Sequence, residues 1–76
     1  MTLDDAIREN IIALAREKHI VLTKLCKISG ITPSTIFDFL AGKSTSPKIS
    51  TIKKLCDGAG ISLKTFFASP IFLEVE

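Results

Sequence analysis

Residues 32–35 read Thr-Pro-Ser-Thr and place three hydroxyl groups in the first turn of a short apolar segment, residues 31–42. A core helix needs an apolar stripe and a solvated face, but it does not need small hydroxyl side chains throughout its first turn. Such side chains both donate and accept hydrogen bonds, which suits contact with a polar ligand. Phe37 follows, about 100° around the helix from Ile36, and is therefore expected outside the core stripe, either exposed or packed at an edge.

Catalytic and metal-binding chemistry has little support in the sequence. The chain has one His and two Cys that lie 30 residues apart, so it has no zinc-ligand spacing. One His and scattered acids do not make a Ser/His/Asp set or a carboxylate pair. We therefore expect no enzymatic activity, no catalytic residue, no metal and no cofactor. Low cysteine content, no apolar run long enough for a bilayer, and an acidic N-terminus unlike a secretory signal favour the cytoplasm.

The net charge of +2 is distributed unevenly along the chain. Residues 21–54 contain six lysines and one acid, Asp38, which gives a net charge of +5, whereas residues 1–20 carry −1 and residues 55–76 carry −2. A basic centre between acidic ends suits a polyanion that contacts the middle of the chain. Lysines on solvated helix faces would give the same count, so charge alone leaves both interpretations open.

Hydrophobic periodicity predicts an all-α chain of five short helices in one domain, residues 1–76. The first helix runs from Leu3 to about Lys18, and the others cover residues 22–29, 32–41, about 49–57 and 63–67. Thr2, Thr32 and Ser62 are expected to cap the first, third and fifth helices. Gly30, Gly42 and the "GAG" of residues 58–60 are expected to end the second, third and fourth. The tail, residues 68–76, either packs on the core as a short extended piece or frays.

Each of the first four helices carries an apolar stripe. These stripes comprise Leu3, Ile7, Ile11, Leu14 and Ala15 in the first; Leu25, Cys26 and Ile28 in the second; Ile36, Phe39 and Leu40 in the third; and Ile49, Ile52, Leu55 and Cys56 in the fourth.

Only Gly30 and Ile31 separate the second helix from the third, which is the pattern of a helix-turn-helix. Gly30 can adopt the left-handed conformation that a side chain would resist, and Ile31 can fold inward to fix the angle between the helices. In this motif the second of the two helices enters the major groove of DNA with its N-terminal residues at base edges. The pattern therefore predicts double-stranded DNA as the partner of residues 32–35.

From "LTKLCKISGITPSTIFDFLAGKSTSP" through "TIKKLCDGAGISLKTFF", the chain resembles the phage Cro and repressor-type (XRE-like) helix-turn-helix domains. The resemblance covers approximately residues 7–67 and rests on the order and spacing of several family positions: Leu25, Gly30, Ile31, Ser34, Thr35, Ile36, Gly42, Pro47, Leu55, Gly60, Ile61 and Phe67. It implies a compact five-helix domain of bacterial or phage type that binds operator DNA, usually as a dimer, and regulates transcription. Cys26 and Cys56 fall where the family usually has alanine, which implies small buried residues and not ligands or a disulfide.

The resemblance also implies a role in DNA binding for individual residues at the start of the recognition helix, on its groove-facing side and in the loop after it. Thr23 or Lys24 would replace the Ser-Gln that often opens the second helix in relatives, because Val21 and Leu22 occupy those positions. The residues expected to bind DNA are Thr23, Lys24, Thr32, Pro33, Ser34, Thr35, Phe37, Asp38, Lys43 and Lys48.

Two further positions depart from the family pattern. Relatives often pair an Arg late in the first helix with a Glu in the third, where this chain has Ala15 and Leu40. Replacing both partners of an ion pair with apolar residues can be neutral or stabilising. The recognition helix also lacks Arg, Gln and Asn, the side chains that make bidentate contacts with guanine or adenine.

Two hypotheses for function follow. The first is a small repressor that acts in the cytoplasm at the nucleoid and docks helix 32–41 in the major groove as a homodimer. The second is a helix-turn-helix module that binds protein, antitoxin-like or anti-repressor, anchored by Phe37 and Leu22. The C-terminal apolar residues have two equal alternatives, a dimer surface or burial in the monomer's own core. These residues are Phe66, Phe67, Ile71, Phe72 and Leu73.

Overall fold

Five α-helices and one C-terminal 3₁₀ helix make up the structure, a computed structural model that describes residues 1–76. The helices are α1 (Leu3–Glu17), α2 (Leu22–Ile28), α3 (Pro33–Leu40), α4 (Ile49–Ala59) and α5 (Leu63–Phe67), followed by the 3₁₀ helix Pro70–Glu74. The prediction of an all-α chain of five short helices is confirmed. No helix in the structure combines the length and apolar character needed to cross a bilayer.

Helix α1 begins with a reciprocal pair of capping hydrogen bonds between Thr2 and Asp5. The Asp5 backbone N–H donates to the Thr2 hydroxyl at 3.1 Å, and the Thr2 backbone N–H donates to the Asp5 carboxylate at 3.4 Å. Together they satisfy two backbone donors that a helix N-terminus leaves free. Hydrogen bonds from Thr2, with a smaller contribution from the nearby Arg8, hold the pKa of the Asp5 carboxyl below its usual value. Ser62 caps α5 with a single bond, in which its hydroxyl accepts from the Thr65 N–H at 3.0 Å.

The C-terminus of α1 contains the single residue other than glycine with a positive φ, His19 at 53°. The Ile20 N–H donates to the Ala15 carbonyl at 3.1 Å, and the His19 N–H donates to the Arg16 carbonyl at 3.1 Å. This hydrogen-bond pattern, a Schellman motif, satisfies carbonyl groups that would otherwise lack partners at the helix end. The chain leaves α1 there and turns into α2.

One hydrophobic core receives side chains from all five helices and from the turn after α2. Its 13 members are Ile7, Ile11, Leu14, Ala15, Leu25, Cys26, Ile31, Ile36, Phe39, Ile52, Leu55, Cys56 and Phe66. Both cysteines are fully buried and unbonded, as expected. Burial raises the pKa of both thiols, which disfavours the reactive thiolate at neutral pH.

Three residues of the predicted apolar stripes are exposed, and their assignment to the core is wrong. Leu3 and Ile49 begin α1 and α4, and Ile28 ends α2; each side chain is at least half exposed. All three continue the helical periodicity of their stripes, but they lie in terminal turns. Periodicity gives the side of the helix on which a residue lies and does not show whether a neighbouring element reaches that turn.

Helix α4 is longer than predicted because Gly58 continues it and does not end it. The helix runs to Ala59, and the left-handed residue that closes it is Gly60, at φ 75°. A Cβ atom on Gly58 would lie 3.1 Å from Cβ and 3.3 Å from Cα of Ser29, and would overlap the Ser29 hydroxyl. Gly58 therefore allows the end of α2 to pack closely against α4.

The C-terminal tail forms a 3₁₀ helix that packs against α1, so it is neither an extended piece nor frayed. Pro70 occupies its first turn, where the fixed φ of proline fits and no N–H is needed. The N-terminal amine of Met1 donates to the Glu74 carbonyl at 3.1 Å and joins the two ends of the chain. Phe72 points back toward the core.

Aromatic packing favours burial in the monomer's own core for three of the C-terminal apolar residues. Phe66 is buried, and Phe67 and Phe72 pack against the core, with the Phe67 ring centroid 5.0 Å from that of Phe66 and 5.1 Å from that of Phe72. Of the two alternatives, burial in the monomer's own core therefore holds for Phe66, and Phe67 and Phe72 are partly buried against that core. Ile71 is half-buried, and Leu73 is 89% exposed.

The close approach of α2 and α4 predicts the effect of Gly58→Ala. Helix propensity alone would make this substitution stabilising by about 1 kcal/mol. Because the new methyl group would press on Ser29, we expect it instead to lower the free energy of unfolding by about 1–2 kcal/mol, measured by urea denaturation.

Ser29→Ala provides the control, because the buried Ser29 hydroxyl has no hydrogen-bond partner. We expect Ser29→Ala alone to be nearly neutral and to recover part of the loss in a double-mutant cycle with Gly58→Ala. Full additivity of the two substitutions, or a gain in stability from Gly58→Ala, would contradict the packing argument.

Candidate nucleic-acid interface

Helices α2 and α3 form a helix-turn-helix whose turn is fixed by one glycine and one buried side chain. Gly30 has φ 74°, which a residue with a Cβ atom adopts only with strain. Ile31 is buried, and its N–H donates to the Cys26 carbonyl at 2.9 Å. The expectation that Ile31 folds inward to hold the two helices together is confirmed.

Thr32 occupies the N-cap position of α3, but its side chain makes no capping hydrogen bond, so the prediction of a side-chain cap is wrong. In a side-chain cap, the Thr32 hydroxyl would accept a hydrogen bond from the Thr35 N–H. That N–H donates instead to the Thr32 backbone carbonyl at 3.0 Å. Pro33 has no N–H that requires a partner. The exposed Thr32 hydroxyl is therefore free to contact a ligand.

The outer face of α3 carries the polar residues at helical spacing. Ile36 and Phe39 face the core, whereas Ser34, Phe37 and Asp38 share the opposite side at spacings of three and four residues. Thr35 is also exposed, and Pro33 is half-buried. Phe37 is 43% exposed, in agreement with its expected place outside the core stripe.

Most of the lysine side chains in α2, in α4 and in the loop after α3 are not neutralised within the chain. Five of the six lysines in residues 21–54 are exposed and form no ion pair; they are Lys24, Lys27, Lys43, Lys48 and Lys54. Lys53 differs, because it pairs with Asp57 one turn further along α4. Lys27 was not among the predicted site residues, although its spacing of three from Lys24 places both on the outer side of α2. Thr23 is exposed in the first turn of the same helix.

The loop between α3 and α4 has anchors at its start and middle. The Lys43 N–H donates to the Asp38 carbonyl at 2.8 Å. The Ser46 hydroxyl donates a hydrogen bond to the Asp4 carboxylate in the first turn of α1. Lys48 then occupies the N-cap position of α4 without a side-chain cap bond. The loop thus presents Lys43 and Lys48 from fixed backbone positions.

Arg8 holds the end of α3 against α1, a role that the sequence did not indicate. Its Nε donates to the Phe39 carbonyl at 3.1 Å, and its guanidinium carbon lies 4.7 Å from the centroid of the Phe39 ring. Its Nη1 also donates to Asp5 at 2.9 Å. The guanidinium satisfies a carbonyl near the negative end of the α3 dipole. Because 31 residues separate Arg8 from Phe39, no local pattern could reveal the contact.

The departures noted in the sequence have clear structural consequences. Ala15 is buried and Leu40 packs against the core, so apolar contacts occupy the positions where relatives often have an ion pair. Val21 is the N-cap of α2, and its exposed side chain offers no capping oxygen. The site consequently offers hydroxyl groups, one aromatic ring, one carboxylate and several free ammonium groups. These groups suit hydrogen bonding to base edges and contact with phosphates.

Comparison with known proteins gives one family and two similar structures. The family model described as the Cro/C1-type HTH DNA-binding domain matches residues 10–68. One is a crystal structure of the prophage Lp1 protein 11, whose sequence is 28% identical to this chain. It superposes with a TM-score of 0.82 over 92% of each chain.

A second crystal structure, of an HTH_3 family transcriptional regulator from Vibrio cholerae, has a TM-score of 0.77 over 92% of this chain and 39% of that one. At 24% identity, it supports the fold alone. Comparison with curated proteins gives no match.

The contact between Arg8 and Phe39 predicts that Arg8→Lys lowers the free energy of unfolding by about 1 kcal/mol. Lysine keeps the positive charge beside Asp5 but lacks the planar group that stacks on the ring and donates to the carbonyl. Arg16→Lys is the matched control, because Arg16 is exposed on the same helix, and should leave stability unchanged. Equal losses in the two variants, measured by urea denaturation, would show that the geometry at Arg8 has no special role.

Proposed function

The chain belongs to the Cro/C1-type helix-turn-helix DNA-binding domain family, and we propose that it is a sequence-specific transcriptional regulator, a small repressor that docks α3 in the major groove of an operator. The observation that carries this proposal is the exposed, hydroxyl-rich start of α3 beside lysines that have no partner in the chain. In this mechanism the protein represses by occupying its operator, and it acts in the cytoplasm at the nucleoid.

Base contacts would come from the first turn and outer face of α3. The hydroxyl groups of Thr32, Ser34 and Thr35 can donate to or accept from base edges at short range. Phe37 would meet a thymine methyl group, and Asp38 would accept from the amino group of cytosine. Pro33 fixes the backbone between these hydroxyls and would pack against the groove wall.

Phosphate contacts would position the domain on the duplex. Lys43 and Lys48 lie at the two ends of the loop that follows α3, and Thr23 and Lys24 lie in the first turn of α2. Lysines that have no carboxylate partner can replace counterions on the DNA backbone, which strengthens binding at low salt. The absence of Arg, Gln and Asn from α3 predicts that phosphate contacts supply a large share of the affinity.

We further propose a homodimer on DNA. Two copies related by a two-fold axis would read half-sites about one helical turn apart, ~34 Å. Of the C-terminal apolar residues, Ile71 and Leu73 remain accessible to a second copy.

A protein-binding module is the second candidate, and the exposure of Phe37 favours it. An aromatic ring that is 43% exposed on a helix surface can anchor a protein partner as well as meet a thymine. Leu22, the other proposed anchor, is half-buried and packs against the core. Phe37 would therefore have to provide most of the hydrophobic contact.

The salt dependence of binding distinguishes the two candidates. For a DNA-binding regulator, log affinity for duplex DNA should fall linearly with log salt, with a slope set by several phosphate contacts. Selection from random duplex DNA should enrich a recurring motif with two-fold symmetry. Affinity that does not change with salt, together with no enriched motif, would rule out the DNA-binding proposal and favour the protein-binding module.

Two substitutions separate phosphate contacts from base contacts. Lys43→Ala should weaken binding to all sequences by a similar factor and reduce the salt slope by about 1. Ser34→Ala should change preference at one or two base pairs and leave the slope unaltered. Lys53→Ala is the control, because Lys53 pairs with Asp57, and it should have little effect. A uniform loss for Ser34→Ala would place this residue on the DNA backbone and not at a base.

A further inference from the structure

The outer face of α1 carries four residues that the core and the candidate DNA interface do not use. Glu9, Ile12, Ala13 and Arg16 are exposed and lie within one stripe of the helix, at spacings of three, four and seven residues. With Ile71 of the 3₁₀ helix they line a shallow groove of about 350 Å³. Ile12 is 40% exposed in this groove.

The two charged residues of this stripe have no partner in the monomer. Neither Glu9 nor Arg16 forms an ion pair. The positions three and four residues away on the helix also carry no opposite charge; around Glu9 these are Asp5, Ala6, Ile12 and Ala13, and around Arg16 they are Ile12, Ala13, His19 and Ile20. Each charge is therefore left to solvent or to another molecule.

The stripe is complementary in charge and side-chain size to a second copy of itself that runs in the opposite direction. The midpoint between Glu9 and Arg16 along α1 coincides with the midpoint between Ile12 and Ala13. If a second α1 packs antiparallel across a two-fold axis at this point, each Glu9 faces the second copy's Arg16, and each Ile12 faces its Ala13. Small side chains at a helix crossing allow close approach of the backbones, and Ala13 provides this space for the larger isoleucine.

We propose that this groove binds a second copy of the same chain, through an antiparallel contact between the two α1 helices with two reciprocal Glu9–Arg16 ion pairs. The contact has the form of a two-fold, isologous interface, in which one patch binds its own copy. The inference deepens the proposed homodimer and rests on it.

The charges of the groove favour this occupant over DNA or a small ligand. An acid and a base at opposite ends of an apolar centre do not suit a polyanion, which would be repelled by Glu9. The groove is open and has no buried polar group that could orient a small molecule. It also shares no residue with α2 or α3, so a second copy can bind without covering the proposed DNA-binding residues.

Sedimentation equilibrium of the full chain without DNA tests the contact by charge reversal. We expect the wild-type protein to show a monomer–dimer equilibrium below about 1 mM. Glu9→Arg alone and Arg16→Glu alone each place two like-charge pairs in the interface and should weaken dimerisation at least about tenfold. The double variant Glu9→Arg/Arg16→Glu restores both ion pairs and should regain the wild-type dimerisation constant.

Mixing the two single variants gives a second, independent readout. A heterodimer of the Glu9→Arg chain with the Arg16→Glu chain contains only opposite-charge pairs, so the mixture should associate at least about tenfold more strongly than either component alone. Lys18→Glu, a charge reversal at the C-cap of α1 and outside the stripe, is the control and should leave association unchanged. Circular dichroism of each variant checks that the helices are retained.

Several results would overturn the inference. They are a wild-type protein that stays monomeric, single variants that associate as strongly as the wild type, or a double variant that fails to recover. DNA binding is measured separately, on a single half-site that needs one copy only. Charge-reversal effects without DNA binding would refute the proposed function alone, and DNA binding without charge-reversal effects would refute this inference alone.

Discussion

The packing of α2 against three neighbouring helices is the constraint on which the rest of the structure depends. Helix α2 has seven residues, which is too short for a stable helix in isolation. It is held by contacts with α1, α3 and α4, through the fully buried Leu25 and Cys26 and the close approach of Ser29 to Gly58. The turn at Gly30 and Ile31 then transmits this fixed position to α3. The direction in which α3 faces solvent therefore follows from the core.

Folding and the proposed DNA binding use opposite sides of the same helices. The inner sides of α2 and α3 supply apolar side chains to the core, and the Ser29 hydroxyl at the end of α2 is the one buried polar group without a hydrogen-bond partner. The outer sides carry hydroxyl groups and lysines that make almost no intrachain contacts. Unpaired exposed lysines add little to stability, because surface charges interact weakly with one another in water. Their concentration in one part of the chain is better explained by a polyanionic partner.

Helix α1 connects the elements that the candidate interface needs. Its inner stripe packs in the core, Arg8 holds the end of α3, and Asp4 accepts the hydrogen bond from Ser46 in the loop that carries Lys43 and Lys48. These contacts join residues more than 30 positions apart in the chain. The acidic N-terminal segment therefore positions the basic segment that contains α3 and the loop after it. The third side of the same helix remains free, which allows self-association without loss of the other two roles.

The sequence by itself determined the local features: five helices from their periodicity, the caps at Thr2 and Ser62, the turn at Gly30 and Ile31, and two buried cysteines. These depend on residues a few positions apart, which a single chain displays directly. It also gave the outer face of α3, because a helix with one apolar side must expose the other. It did not give the free hydroxyl of Thr32, because the choice between a side-chain and a backbone acceptor depends on the geometry of the turn.

Only the tertiary structure decided which apolar side chains are buried and which charged side chains form contacts within the chain. Leu3, Ile28 and Ile49 continue apolar stripes, yet they are exposed because no element packs over those helix ends. Gly58 looks like a helix stop, yet it lies inside α4, at a position where Ser29 leaves no space for a Cβ atom. The burial of three aromatic rings, those of Phe66, Phe67 and Phe72, depends on core residues distant in sequence. The contact between Arg8 and Phe39 likewise joins residues distant in sequence. Periodicity fixes the side on which a residue lies, whereas burial requires a second surface that only the folded chain provides.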